Sequence, residues 1–273
     1  PSIVKLLQKN PGKLQLGGDT RELSILFSDL RDFTTLSEQF KSNPQELTDL
    51  INKYLTPMTG CVIDNNGTVD KFIGDALMAF WNAPIDDEDH RVNTINCALE
   101  MFVLLDKLNI ELEEKDIELR MGIGVNTGSV VVGNMGSNQR FDYTCLGDAV
   151  NLSARLESQT KGYKVGLLVG EQTKKGIEDK FNFYELDTIA VKGKTEGVKI
   201  YTVLPTLSNH LNHEAFLTAY KEQDWDKALK HAKFNKRGIL ALSNYYDMMS
   251  DRILELKEQD TTNWDGIYRS SSK

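Results

Sequence analysis

Two acidic residues, Asp29 and Asp75, stand where side chains can do chemistry. Asp29 sits at the point where the apolar run Ile25-Leu26-Phe27 gives way to the polar turn LRDFT. Asp75 follows Gly74 at the junction of two short strand-like pieces, TVDKFI and ALMAFW, which places it at a hairpin tip. Two hard oxygen ligands on neighbouring strand ends suit Mg²⁺ or Mn²⁺ better than zinc, since neither His nor Cys accompanies them. Magnesium with phosphate is the natural reading. Backbone N–H groups from Leu30 to Thr34, those of Phe33 and Thr34 included, can cradle phosphates that share the metal. On residue type alone either Asp is more often a turn former or a strand-end cap, so the context must decide.

The elements that must position these residues follow from the hydrophobic period. ELSILFSDL reads as a strand buried on both faces. Asn43 then caps a helix with Pro44 at its first position and Glu46 three residues on, and Leu47, Leu50, Ile51, Tyr54, Leu55 and Met58 follow at helical spacing. Pro57 is expected to bend or end that helix. After the TVDKFI–ALMAFW hairpin, Val92, Ile95, Leu99, Phe102 and Val103 mark a second helix, and IELRMGIGVNTG and SVVVG read as two further strands. RFDYTCL is another strand, and Asp148 starts a helix that stops at Lys161 and Gly162. Within that helix Asn151 and Arg155, four apart, share one face beside the apolar stripe of Leu152 and Leu156.

KVGLLVG, FNFYELDTI and KIYTVL complete a strand-rich end. The alternation predicts an α+β fold: a ferredoxin-like βαββαβ core, with a mainly antiparallel sheet carrying helices on one face. Residues 1–20 read as a lead-in segment, 21–205 as the main domain and 206–273 as a helical C-terminal extension. AYKEQDWDKALKHA looks like half a tetratricopeptide repeat without a second copy, so the extension is expected to be an accessory appendage.

Composition removes several classes of function. At 273 residues the chain can bury a sizeable core unaided, and 40% hydrophobic with 26% charged residues is ordinary globular usage. Lys plus Arg is 32 against 40 for Asp plus Glu, a net charge of −8, which argues against a duplex-binding role. No nucleic-acid partner is expected. Cys61, Cys97 and Cys145 lie far apart with no CxxC pair, which fits a reducing, cytoplasmic compartment. No apolar run approaches the ~18 residues of a membrane span. The chain begins at Pro1 and reads as a fragment, leaving room upstream for a sensor or membrane module. His90, after the acidic run DDED, is read as part of a solvated loop, and His210, His213 and His231 are assigned no role.

Five blocks, FSDLRDFT, KFIGDALMAFW, LRMGIGVNTG, YTCLGDAVNLSARLES and VKGKTEG, in this order and at these intervals, resemble the catalytic domain of class III nucleotide cyclases. Within that family the chain is similar to bacterial adenylate cyclases. The resemblance implies that Asp29 and Asp75, with the backbone carbonyl of Leu30, hold two divalent cations, Mg²⁺ or Mn²⁺. It implies that Lys71 and Thr144 read the base. A Lys donates to adenine N1 and a Thr hydroxyl can accept from the exocyclic amine, which favours ATP; a guanine-reading site carries Glu and Cys there. It further assigns Asn151 to ribose orientation, Arg155 to the charge that develops around the α-phosphate, and Arg120 and Lys192 to phosphate binding. On residue type alone Arg120 and Lys192 are solvated surface charges.

In this family the site forms between two domains. One gives the metal aspartates and the other the base-reading and transition-state residues. Both sets occur once in this chain, so a two-fold symmetric homodimer with two interfacial sites is expected. The Lys and Thr pair also resembles the subgroup in which bicarbonate stimulates turnover. The implied activity is conversion of ATP to 3′,5′-cyclic AMP and pyrophosphate. The alternatives are a guanylate cyclase and a non-catalytic nucleotide-sensing dimerisation module. A palm-like polymerase or diguanylate cyclase shares the core, but the GGD at residues 17–19 is expected to precede the first strand rather than to sit on a hairpin.

Overall fold

Apolar and β-branched residues dominate the stretch from Leu23 to Leu30, and it forms the second half of a long strand, β1 (Gly17–Leu30). The computed structural model describes residues 16–137, 139–190, 197–205, 210–259, 261 and 264–268. They fall into two compact units, one ending at Glu157 and the other beginning at Ser158. In the first unit β1 is followed by a short helix α1 (Phe33–Gln39), a long helix α2 (Pro44–Asp64), the hairpin β2 (Thr68–Ile73) and β3 (Ala76–Trp81), helix α3 (His90–Leu112), and strands β4 (Met121–Gly136) and β5 (Phe141–Leu146). Helix α4 (Asp148–Tyr163) begins in this unit.

The strands lie in the order β2-β3-β1-β4, every pair antiparallel, with β5 on the second half of β4. This is the expected βαββαβ order, with β3 inserted between β1 and β2. Alternation along β1 assigns its two faces. Leu23 and Ile25 pack with Met78, Phe80, Val130, Val132 and Val150 of α4. Ser24 points the other way, its hydroxyl 2.8 Å from Nδ1 of His90 on α3. The sheet therefore carries helices on both faces, not one. The start of α4 approaches closely because Gly124 has no side chain: a Cβ there would lie 2.3 Å from the Ser153 carbonyl oxygen.

Gly128 explains a second difference. The expected two strands are the single strand β4, in which Gly128 pairs with Leu23 instead of turning the chain. Its Cβ would meet that of Ala149 at 2.8 Å, so the glycine serves close packing. The GGD at 17–19 lies inside β1, paired with Val132, Gly133 and Asn134, and is not on a hairpin. The Asn43 side chain caps α2 by accepting from the Glu46 N–H. Pro57 does not end α2, which runs on to Asp64 and buries Tyr54, Met58, Cys61 and Val62. On α3 the buried face is Thr94, Ile95, Ala98, Met101, Leu105 and Leu108, while Val103 is exposed. His90, expected in a solvated loop, is buried at the start of that helix.

In the second unit β8 (Val198–Leu204) pairs antiparallel with β6 (Leu167–Gly170) and β7 (Asn182–Ile189). A one-turn helix α5 (Glu171–Lys174) follows β6. Beyond β8 this unit is helical: α6 (His210–Lys221), α7 (Trp225–Gly238) and α8 (Ser243–Lys257). Its core is aromatic, with Phe216, Tyr245 and Tyr246 around His213. Inside it, Asp187 is buried between the Arg252 guanidinium at 2.5 Å and the Tyr163 hydroxyl at 2.7 Å.

His213, assigned no role above, is a core residue. Its ring nitrogens lie 2.6 Å from the Tyr246 hydroxyl and 2.6 Å from the Glu185 carbonyl oxygen. Burial pushes its pKa down to about 4. A lowered folded-state pKa contributes stability that is present above the ordinary value of ~6.5 and is lost as pH falls towards 4. Between pH 7 and 5, wild type should lose about 2 kcal/mol more than His213→Gln. Urea unfolding followed by Tyr and Trp fluorescence measures this; equal losses in the two proteins would refute it.

Candidate active site

Asp29 and Asp75 meet at one end of the first unit's sheet. Asp29 is the penultimate residue of β1, opposite Gly122 of β4, and Asp75 follows Gly74, whose φ of 67° closes the β2–β3 turn. The Leu30 N–H donates to Asp75 Oδ2 at 3.2 Å. The Asp29 acid is pushed up to about 7, first by burial, then by the hydrogen bond and negative charge of Asp75 and by the charge of Glu157. Asp29 is thus a partly buried carboxylate whose ionisation is opposed by burial and by its neighbour Asp75, a burden that a divalent cation relieves. Tyr54 is buried beneath them: its hydroxyl lies 3.7 Å from the Met121 sulfur, and its acid is raised by burial and by the charges of Asp75 and Asp29. Among the described residues no cluster of three or more His, Cys, Asp or Glu forms a metal site.

The turn after Asp29 is tight. Arg31 N–H donates to the Arg120 carbonyl at 2.7 Å, and Asp32 takes the left-handed conformation, φ 56°, before Phe33 and Thr34 open α1. This short helix was not expected. Arg120, just before β4, is brought to the same turn, with its guanidinium 3.6 Å from Asp32 and largely exposed. The first turn of α1, Phe33 and Thr34 included, therefore follows directly on the turn after Asp29, and Arg120 is held at that same turn.

Lys71 and Thr144 form a second group. Thr144 of β5 donates its hydroxyl to Asp70 Oδ2 at 2.6 Å, and Lys71 Nζ lies 3.3 Å from Asp70 Oδ1. Asp70 therefore joins the two residues expected to read a base, and sequence reasoning missed it. On α4, Asn151 is exposed and Arg155 half-buried, while Leu152 and Leu156 are buried, as the stripe predicted. Lys192 and the block VKGKTEG lie outside the described residues, apart from Gly197.

With this geometry in place, comparison with known proteins is direct. Residues 18–205 match the family described as the adenylate and guanylate cyclase catalytic domain. The chain is 33% identical over 185 residues to "Adenylate cyclase 1" of Rhizobium meliloti (strain 1021), covering 67% of this chain and 28% of that protein. Among solved structures it is similar to the adenylyl cyclase CyaB from P. aeruginosa (34% identity, TM-score 0.64, 70% of this chain and 97% of that one). It is equally similar to the guanylyl cyclase Cya2 (36% identity, TM-score 0.63, 69% and 94%). The chain belongs to the class III nucleotide cyclase family, and its first 205 residues contain a cyclase catalytic domain. No helix among the described residues is long and apolar enough to cross a membrane.

Proposed function

We propose that the chain is an adenylate cyclase that forms 3′,5′-cyclic AMP and pyrophosphate from ATP, working as a homodimer with a site at each end of the interface. The observation that carries the reading is the pairing of Asp29 with Asp75 in the same chain that presents Lys71 and Thr144 as a joined pair. The exposed apolar residues Phe72 and Ile73 on β2, and the paired Val131 and Leu146 on β4 and β5, support an interface on this unit.

Bound by Asp29, Asp75 and the Leu30 carbonyl, two divalent cations, Mg²⁺ or Mn²⁺, would supply Lewis acidity at the ribose 3′-hydroxyl and neutralise the departing pyrophosphate. The chain's own residues do the rest. Lys71 donates to adenine N1, and Thr144 accepts from the C6 amine. Asn151 orients the ribose. Arg155, one helical turn on, meets the charge that grows around the α-phosphate with a fixed, permanently charged fork. Arg120, Lys192 and the amides at Phe33 and Thr34 hold the remaining phosphate oxygens. ATP as substrate and three free, buried thiols suit a cytoplasmic placement.

The similarity to the guanylyl cyclase Cya2 keeps GTP as the second reading. Incubation with ATP and with GTP in Mn²⁺ or Mg²⁺, with products identified by mass, separates them. Cyclic AMP as the dominant product is expected. Dominant cyclic GMP favours the second reading, and no product from either nucleotide favours a non-catalytic dimerisation module. The Lys–Thr pair also makes stimulation by bicarbonate at constant pH part of the proposal.

A further inference from the structure

Asp70 stands where β2 slips register against β3. Val69 faces Ala79 and Lys71 faces Met78, so Asp70 is the extra residue of a β-bulge. A bulge re-aims the side chains around it. Here the Asp70 side chain is fully buried, while that of Lys71 stays 42% exposed. The two carboxylate oxygens divide their work: Oδ2 accepts the Thr144 hydroxyl, and Oδ1 pairs with the Lys71 ammonium. Burial pushes the Asp70 acid up, and the Thr144 hydrogen bond and the Lys71 charge oppose that shift.

A hydroxyl has one proton and two lone pairs, and a free one rotates to suit its partner. A free Thr144 would donate to a carbonyl as readily as it accepts from an amine, and so would not distinguish the C6 groups of adenine and guanine. An ionised carboxylate only accepts. We infer that Asp70 is a specificity-positioning residue: by holding the Thr144 proton it leaves that oxygen able only to accept, which selects a purine bearing an amine at C6 and repels a carbonyl there. The inference rests on the reading of Lys71 and Thr144 as the base-recognising pair. Asp70 touches neither the base nor the reacting atoms; it acts through the Thr144 hydroxyl.

The test is the ratio of kcat/KM for ATP over GTP, measured with Mn²⁺ in the full chain. Asp70→Ala, and Asp70→Leu as an apolar filler of the same space, should lower this ratio by roughly 10-fold or more, since one well-placed polar pair discriminates bases by about that much. In the Thr144→Val background, Asp70→Ala should leave the ratio unchanged, a result that a merely structural role does not produce. An unaltered ratio in a folded Asp70 variant, or an equal fall with and without the Thr144 hydroxyl, overturns the inference. Should neither Asp70 variant fold, wild type decides with two analogues of equal size, N6-methyl-ATP and 6-methoxypurine ribonucleoside triphosphate. Use of the amine at least roughly 10-fold better than the ether supports the inference, and parity overturns it. A wild-type chain that uses GTP better than ATP overturns the adenylate cyclase reading and this inference with it. A clear wild-type preference for ATP that is insensitive to Asp70 overturns the inference alone.

Discussion

Asp29→Asn and Asp75→Asn are each expected to abolish cyclic nucleotide formation, by roughly 10³-fold or more, without unfolding the chain. Each substitution keeps side-chain volume and removes one of the two hard anionic ligands proposed for the cations. The fold should tolerate this well. The Asp29 acid is already raised by burial and by its neighbour Asp75, so without a bound cation the second negative charge is a burden on the folded state. The metal-free variants should therefore melt no lower than wild type at pH 8, while the rise in melting temperature on adding Mn²⁺ shrinks. Turnover and thermal melts on the same samples check both halves. Retained Mg²⁺-dependent activity would contradict the metal assignment, and a collapse in melting temperature would make the two residues structural.

Arg155→Ala should lower kcat by roughly 10² or more while KM moves much less, as expected for a contact completed in the transition state. Arg155 is half-buried on the face of α4 beside buried Leu152 and Leu156, so its position is fixed by the packing of the helix on the sheet. That packing has little slack. The Ser153 hydroxyl shares its one proton between the carbonyls of Ile25 and Gly124, at 2.9 and 3.0 Å, which pins the helix across β1 and β4. Arg155→Lys should recover only part of the loss, because an ammonium lacks the planar fork. Steady-state kinetics with ATP and Mn²⁺ decide it; an effect confined to KM would reduce Arg155 to a ground-state contact.

Much of this arrangement was legible in the residues themselves. The buried run before Asp29, the Gly74-Asp75 turn and the 3-and-4 spacing around Arg155 are local signals, and each appears in the structure where the spacing put it. What escaped reading depends on contacts distant in sequence. Gly128 looked like a strand break, because a glycine that admits a crossing helix and one that turns the chain are identical in a string. The carboxylate of Asp70 reaches Thr144 through a bulge and a separation of 74 residues, and neither has a local signature. His90 looked solvated after an acidic run and His213 carried no signal, yet each is buried against a partner elsewhere in the chain. Roles at the site came from resemblance, since composition and spacing alone allowed the two aspartates to be turn formers.

The central claim is that one copy supplies the metal-binding aspartates and its partner supplies the base-reading and transition-state residues. The most direct measurement mixes Asp29→Asn protein with Arg155→Ala protein, each inactive alone, and assays verified mixed dimers for cyclic AMP. One intact site per mixed dimer predicts recovery to about half of the wild-type rate per dimer. Mixed dimers that form and stay as inactive as either parent would contradict the shared site.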